Sequence, residues 1–239
     1  MRAALFDLGN TLVSYYAAAD FPPILRECLR GCFQVLGRDW CGDEDEIFQR
    51  ALILNTERPD CSVWPLLERL ASLFGADILD STTQDALTTA FLRPIFASAA
   101  VDPEALSTLA SLRADGFATA IVSNTPWGSP AAPWRAELAR HGLLTAADAV
   151  VFCVDVGFRK PHRAPFERAL NLIGARAEES VFVGDDPRWD VLGARQAGIR
   201  PILLAKAAPD VAIDGVLMVE SLVEARNQIL SIGSAQRHS

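Results

Sequence analysis

The chain has 239 residues, half of them hydrophobic and 22% charged, enough apolar material for one large domain or for a core with a smaller insert. Its formal charge of −8 and pI near 4.9 argue against nucleic acid or an anionic membrane as partner, since both require a basic face. No apolar run approaches the roughly 18 residues needed to span a bilayer, and the short run at residues 3–6 ends at Asp7 with no cleavage site behind it, so a soluble, cytoplasmic protein is expected.

The first predicted strand covers residues 2–6. From about 13 to 99 the pattern is helical throughout. Ile24, Leu25, Cys28, Leu29, Cys32, Phe33 and Leu36 mark one helix face. Ile47, Phe48, Ala51 and Leu52 mark a second, led by Asp43 and Glu46 at capping-box spacing. Val63, Leu66, Leu67, Leu70 and Phe74 mark a third, and Leu87, Phe91 and Ile95 a fourth. Between the second and third, residues 55–65 are rich in turn formers. Glu57, Arg58 and Trp64 there fit either a specificity loop facing the core or an exposed connection. Beyond residue 100, helices predicted over 103–115, 134–141, 164–173, 190–197 and 221–230 alternate with strands over 118–122, 149–154, 181–183, 201–204 and 216–219. That alternation predicts an α/β fold with a doubly wound parallel sheet. A frayed tail is expected over 234–239. The cysteines, Cys28, Cys32, Cys41, Cys61 and Cys153, are odd in number and form no CxxC pair, which reads as buried small hydrophobes.

Three polar signals fall at the C-terminal ends of predicted strands, where a parallel sheet gathers its ligand site. They are Asp7-Leu8-Gly9-Asn10-Thr11, Ser123-Asn124, and Gly184-Asp185-Asp186 with Asp190 following. A fourth, Gly157-Phe158-Arg159-Lys160-Pro161, lies in a loop beyond a further strand. Asp7 and Asp185 offer two carboxylates to a hard ion such as Mg²⁺. Ser123 and nearby backbone amides suit phosphate oxygens. Lys160, one of only two lysines, suits the charge between Asp7 and a phosphate. An aspartate held against Mg²⁺ and lysine is expected to have a depressed pKa and to attack phosphorus.

In this order the motifs resemble the haloacid dehalogenase superfamily, in particular its phosphatase-like members with a helical cap, and the resemblance covers nearly the whole chain. It implies a Rossmann-like core at 1–12 and 100–239 and an inserted cap at 13–99. It further implies a small phosphorylated substrate, an aspartyl-phosphate on Asp7, and Mg²⁺ held by Asp7, the Gly9 carbonyl and Asp185. Thr11, Ser123, Asn124 and Lys160 are implied at the phosphate. Asp190 is expected to orient Lys160 or a metal-bound water, while Asp186 is open between a supporting acid and a helix cap.

One position departs from the pattern. Family phosphatases usually carry a second aspartate two residues after the nucleophile, where this chain has Gly9. A positioned acid–base group contributes roughly 10²–10⁴-fold, so three readings stay open. The leaving group is a good one, another side chain such as Tyr15, Tyr16 or His162 takes the role, or the protein mainly binds a phosphorylated ligand. Metal-free displacement of halide is the alternative hydrolysis. Oligomeric state is not legible.

Overall fold

The computed structural model describes residues 3–38, 44–79, 81–205 and 213–235. Arg2, Cys41, Asp43 of the expected capping box, Lys206 and the tail beyond 235 lie outside them. Strand β1 (Ala3–Phe6) is followed by a two-residue strand β2 (Val13–Ser14). Four helices come next, α1 (Phe21–Val35), α2 (Glu44–Leu54), α3 (Leu66–Phe74) and α4 (Ser81–Ala97), and then β3 (Ala100–Val101). The remainder alternates: α5 (Ala105–Ala114), β4 (Ala118–Ser123), α6 (Ala131–Arg140), α7 (Leu143–Ala146), β5 (Ala149–Phe152), α8 (Cys153–Val156) and α9 (Ala164–Ile173). It ends with β6 (Ser180–Gly184), α10 (Leu192–Gln196), β7 (Arg200–Leu204), β8 (Leu217–Val219) and α11 (Leu222–Ala235).

Six strands form one parallel sheet in the order β5-β4-β1-β6-β7-β8, a Rossmann-like α/β core. The strands are short apolar runs because both faces are covered. Ala3 and Leu5 of β1, with Ala120, Val122 and Phe182, join Phe166 and Leu170 of α9 on one face. Ala4, Phe6, Ile121 and Val183 point to the other, where Leu109 of α5 and Ile229 of α11 close the layer. That second apolar cluster continues without a break into the inserted helices through Leu12, Val13, Leu25, Leu29 and Phe91.

The inserted stretch is not helical throughout. Val13 and Ser14 pair antiparallel with Val101 and Ala100, so a two-stranded ribbon joins the two ends of this stretch. The third helix begins at Leu66 rather than at Val63, because Pro65 favours extended backbone before it. The strand expected over 149–154 stops at Phe152, whose N–H is taken by the Asp155 carboxylate at 2.8 Å, and the chain turns into α8. The helix expected over 190–197 starts earlier, as a π-helical turn at Pro187–Val191 that leads into α10.

Two glycines permit close packing beneath the strand ends. A Cβ on Gly193 would stand 2.7 Å from the Phe166 ring, and one on Gly184 would collide with the Asp190 carboxylate. We predict that Gly193→Ala costs about 1–3 kcal/mol by overpacking, measured by urea unfolding; an unchanged midpoint would refute the contact.

Candidate active site

Asp7 begins the loop after β1, and its N–H is fixed by the Val183 carbonyl at 2.8 Å. The loop turns back at once: Leu12 and Val13 both donate to the Leu8 carbonyl, and Asn10 adopts a left-handed φ of 57°, which asparagine tolerates better than most residues. Ser123 ends β4 and Asp185 follows β6, so the expected strand-end signals do converge. They line a cavity of about 250 Å³ together with Gly9, Asn124, Lys160, Asp186 and Asp190.

Lys160 is almost fully buried. Its ammonium donates to Asp7 Oδ1 and, at 2.6 Å, to Asp190 Oδ1. The Asp190 Oδ2 accepts the Asp186 N–H at 3.1 Å. Asn124 brackets the lysine backbone: its Oδ1 accepts Lys160 N–H at 2.8 Å and its amide donates to the Lys160 carbonyl at 3.2 Å. The side chain of Asn124 is thereby committed, leaving its backbone amide for an anion. Asp186 caps the turn after it by accepting from Arg188 N–H and Trp189 N–H, both at 2.7 Å. The open choice for Asp186 thus falls on the cap, although the residue also lines the cavity. Thr11 is not brought to the cavity: it is fully buried behind the loop and its hydroxyl has no partner among the described residues. His162 stacks on Phe158 at 4.2 Å and does not line the cavity either.

Oxygens of Asp7, Asp185 and Asp190 lie within 4.8 Å of one another. With one ammonium among them, full ionisation leaves two negative charges in excess. Burial therefore pushes the Asp7 carboxyl up to about 8; Lys160 opposes the rise, and Asp190 and Asp185 add to it. Burial and then Asp190 raise Asp185 to about 6. The depressed value expected for Asp7 belongs to a site holding both Mg²⁺ and lysine; with lysine alone, burial and the two neighbouring carboxylates outweigh Lys160. Burial alone would weaken the charge on Lys160, but Asp190 and Asp7 outweigh it and raise its pKa. An all-oxygen, net-negative cluster of this kind fits a hard divalent cation.

The segment 55–65 is docked rather than open. Val63 N–H donates to the Gly157 carbonyl and Arg159 N–H to the Cys61 carbonyl, each at 2.8 Å, with a bridge between Ser62 and Phe158. Glu57 pairs with Arg159 at 2.7 Å, and Arg159 also donates to the Thr125 carbonyl at 2.7 Å. Buried Arg69 lies 4.9 Å over the Trp64 ring and donates to the carbonyls of Leu54, Thr56 and Trp64. The Trp127 indole N–H donates to Asn55 Oδ1 at 2.9 Å, across to the loop after β4. Glu57, Arg58 and Trp64 do not line the cavity; the loop instead grips the residue next to Lys160. Sequence reading did not find this grip, since Arg159 looks like an ordinary flanking charge. It also left Trp189 unremarked as a cavity wall, although that residue stands inside the acidic motif.

A family model of haloacid dehalogenase-like hydrolases matches residues 1–198. The chain belongs to this family. The glyceraldehyde 3-phosphate phosphatase of Methanothermobacter thermautotrophicus is 35% identical over 209 residues, 85% of each chain. A phosphoglycolate phosphatase of Rhodospirillum rubrum is 28% identical over 85% of this chain and 79% of its own length. The fold matches a haloacid dehalogenase-like phosphatase from Thermococcus onnurineus with a TM-score of 0.67 at 23% identity, over 96% of this chain and 98% of that one. The chain is therefore a hydrolase of haloacid dehalogenase type, and among the described residues no helix is long and apolar enough to cross a membrane.

Two outcomes follow from this geometry. The folded values of Asp7 and Asp185 stand above the roughly 3.9 of an unfolded aspartate, so the metal-free folded hydrolase keeps protons that the unfolded chain has lost. Its stability should fall as pH rises from about 4 to about 8 and recover with a divalent cation, in urea unfolding with and without chelator; a flat metal-free profile would contradict the crowding. Glu57→Gln should speed amide hydrogen exchange over 157–160 while leaving α9 protected; equal exchange there would show that the pair holds nothing.

Proposed function

We propose that this hydrolase is a Mg²⁺-dependent phosphohydrolase acting on a small phosphorylated metabolite through an aspartyl-phosphate on Asp7. The observation that carries the proposal is the pairing of Asp7 with a buried lysine at the base of a cavity that also holds Asp185 and Asp190. The phosphatase names of the relatives support it.

In this reading Asp7, Asp185 and the Gly9 carbonyl hold the ion. When bound, the ion supplies charge neutralisation at the phosphate oxygens. Lys160 offers a second positive charge beside Asp7, and Asp190 keeps its ammonium oriented. Ser123 and the Asn124 backbone amide hold the phosphate. Asp7 attacks phosphorus in line with the leaving oxygen, which departs with its electron pair. Water then attacks the aspartyl-phosphate and frees the Asp7 carboxylate. We read residues 13–99 as a cap over a core of 1–12 and 100–239, with the ribbon of β2 and β3 at its base and the Glu57–Arg159 pair fastening it to the lysine loop. Such a cap excludes bulk water during transfer.

Gly9 favours a second reading, a protein that binds a phosphorylated ligand without turning it over. Phosphate release from a panel of phosphomonoesters, with and without Mg²⁺, separates the two. Turnover should require the ion and fall at least about 10³-fold in Asp7→Asn, the scale on which losing a nucleophile acts. No release above that variant on any substrate would leave the binding reading.

A further inference from the structure

The walls of the cavity differ in chemistry from its base. Among the described residues lining it, Lys160 is the one cation, and its ammonium is already shared by Asp7 and Asp190. A second anionic group on a substrate would find no free cationic side chain among the described lining residues, and unpaired charge is costly to bury. Much of the remaining wall is aromatic: Tyr15, Tyr16, Trp134 and Trp189, with Pro126 beside them. The Tyr15 and Trp134 rings meet edge to face at 5.5 Å, and the Trp134 indole N–H is spent on Ser129 Oγ at 2.9 Å, so this residue presents a ring and not a donor. At about 250 Å³ the space is below the roughly 300–1,000 Å³ usual for drug-sized ligands, and suits a single ring beside a phosphate.

A second observation concerns protons. Each carboxylate on the cavity is engaged. Asp7 is the proposed nucleophile, Asp190 holds Lys160, Asp186 accepts two backbone N–H groups, and Asp185 belongs to the proposed ion site. No histidine lines the cavity among the described residues, and burial raises the pKa of Tyr15 and Tyr16, which makes them poor acids. At Gly9, a Cβ would meet nothing within 4 Å, so the space for an acid is present and vacant. A leaving oxygen therefore departs with little protonation and carries most of its negative charge. A phenolate is the anion of an acid near pKa ~10, like the tyrosine side chain. An alkoxide is about as basic as hydroxide, whose parent water lies near ~15.7.

We infer that this site is built for aryl phosphates: monoesters whose phosphate oxygen is bonded directly to one aromatic ring that carries no further anionic group. The inference rests on the phosphohydrolase reading. In the first step an Asp7 oxygen bonds to phosphorus, the P–O(aryl) bond breaks and phenolate leaves with the electron pair. In the second, water oxygen bonds to phosphorus, the Asp7–phosphorus bond breaks, and the proton released from water ends on phenolate or phosphate. The sum is aryl phosphate plus water giving phenol plus inorganic phosphate.

The test compares the full-length protein with Mg²⁺ on phenyl phosphate, benzyl phosphate, 4-carboxyphenyl phosphate and glycerol 3-phosphate, alongside radiolabelling of Asp7 by acetyl phosphate, whose leaving group needs no acid. Phenyl phosphate should exceed benzyl phosphate at least about 100-fold in kcat/KM, the low end of what a positioned acid supplies. The carboxylated ring should raise KM, and Gly9→Asp should narrow the phenyl-to-benzyl ratio. Benzyl or glycerol phosphate cleaved within a few-fold of phenyl phosphate overturns the inference, as does a ratio unmoved by Gly9→Asp. If acetyl phosphate labels Asp7 while the preference is absent, the phosphohydrolase reading stands alone; if Asp7 is not labelled and no ester is cleaved, both fall.

Discussion

The arrangement of the site depends on one buried ammonium. Lys160 is 2% exposed, and a lone cation at that depth would forfeit several kcal/mol of hydration. Asp7 and Asp190 both answer it, one from the end of β1 and one from the turn after β6. Three chain segments distant in sequence are thereby bound to one point. The surrounding contacts serve the same end: Asn124 clamps the lysine backbone, Asp186 donates its N–H to Asp190, and Gly184 and Gly193 let the acidic turn settle against the sheet and α9.

Two carboxylates already exceed the charge of one lysine, yet Asp185 brings a third within reach. For stability alone the third is unfavourable, which is why burial and mutual repulsion push protons onto Asp7 and Asp185. Surplus negative charge of this kind fits a hard divalent cation.

The core and the base of the site were largely legible in the sequence. Each of the six parallel strands announces itself by a short β-rich apolar run, and parallel topology sends every strand end to the same edge. Asp7, Ser123 and Asp185 follow from that rule. The misses share a cause. Val13–Ser14 and Ala100–Val101 are too short to show a period, and each is a strand only because the other lies beside it. Arg159 and Glu57 are far apart in sequence, and no local pattern says that an arginine beside the key lysine turns inward to meet a loop residue from between two helices. Thr11 stands in the loop that Asp7 begins, but the sharp reversal from Leu8 to Val13 carries it to the buried side of that loop.

The base and the walls of the cavity are anchored by different means. The base is set by strand ends, ion pairs and backbone hydrogen bonds within the core. The walls come from the residues after β2, from α6 and from the exposed side of the acidic turn, where Tyr15, Trp134 and Trp189 are held by ring contacts and a single indole bond. A change in the walls therefore leaves Lys160 and its partners undisturbed, whereas a change in the base alters the chemistry itself. Gly9 belongs to the base by its backbone and to the walls by its missing side chain. In the proposed reaction the glycine leaves its carbonyl available and favours leaving groups that need no proton. In the proposed reaction, substrate choice accordingly has two separable determinants: the aromatic surface bears on what fits, and the open space at Gly9 bears on which of the ligands that fit can leave.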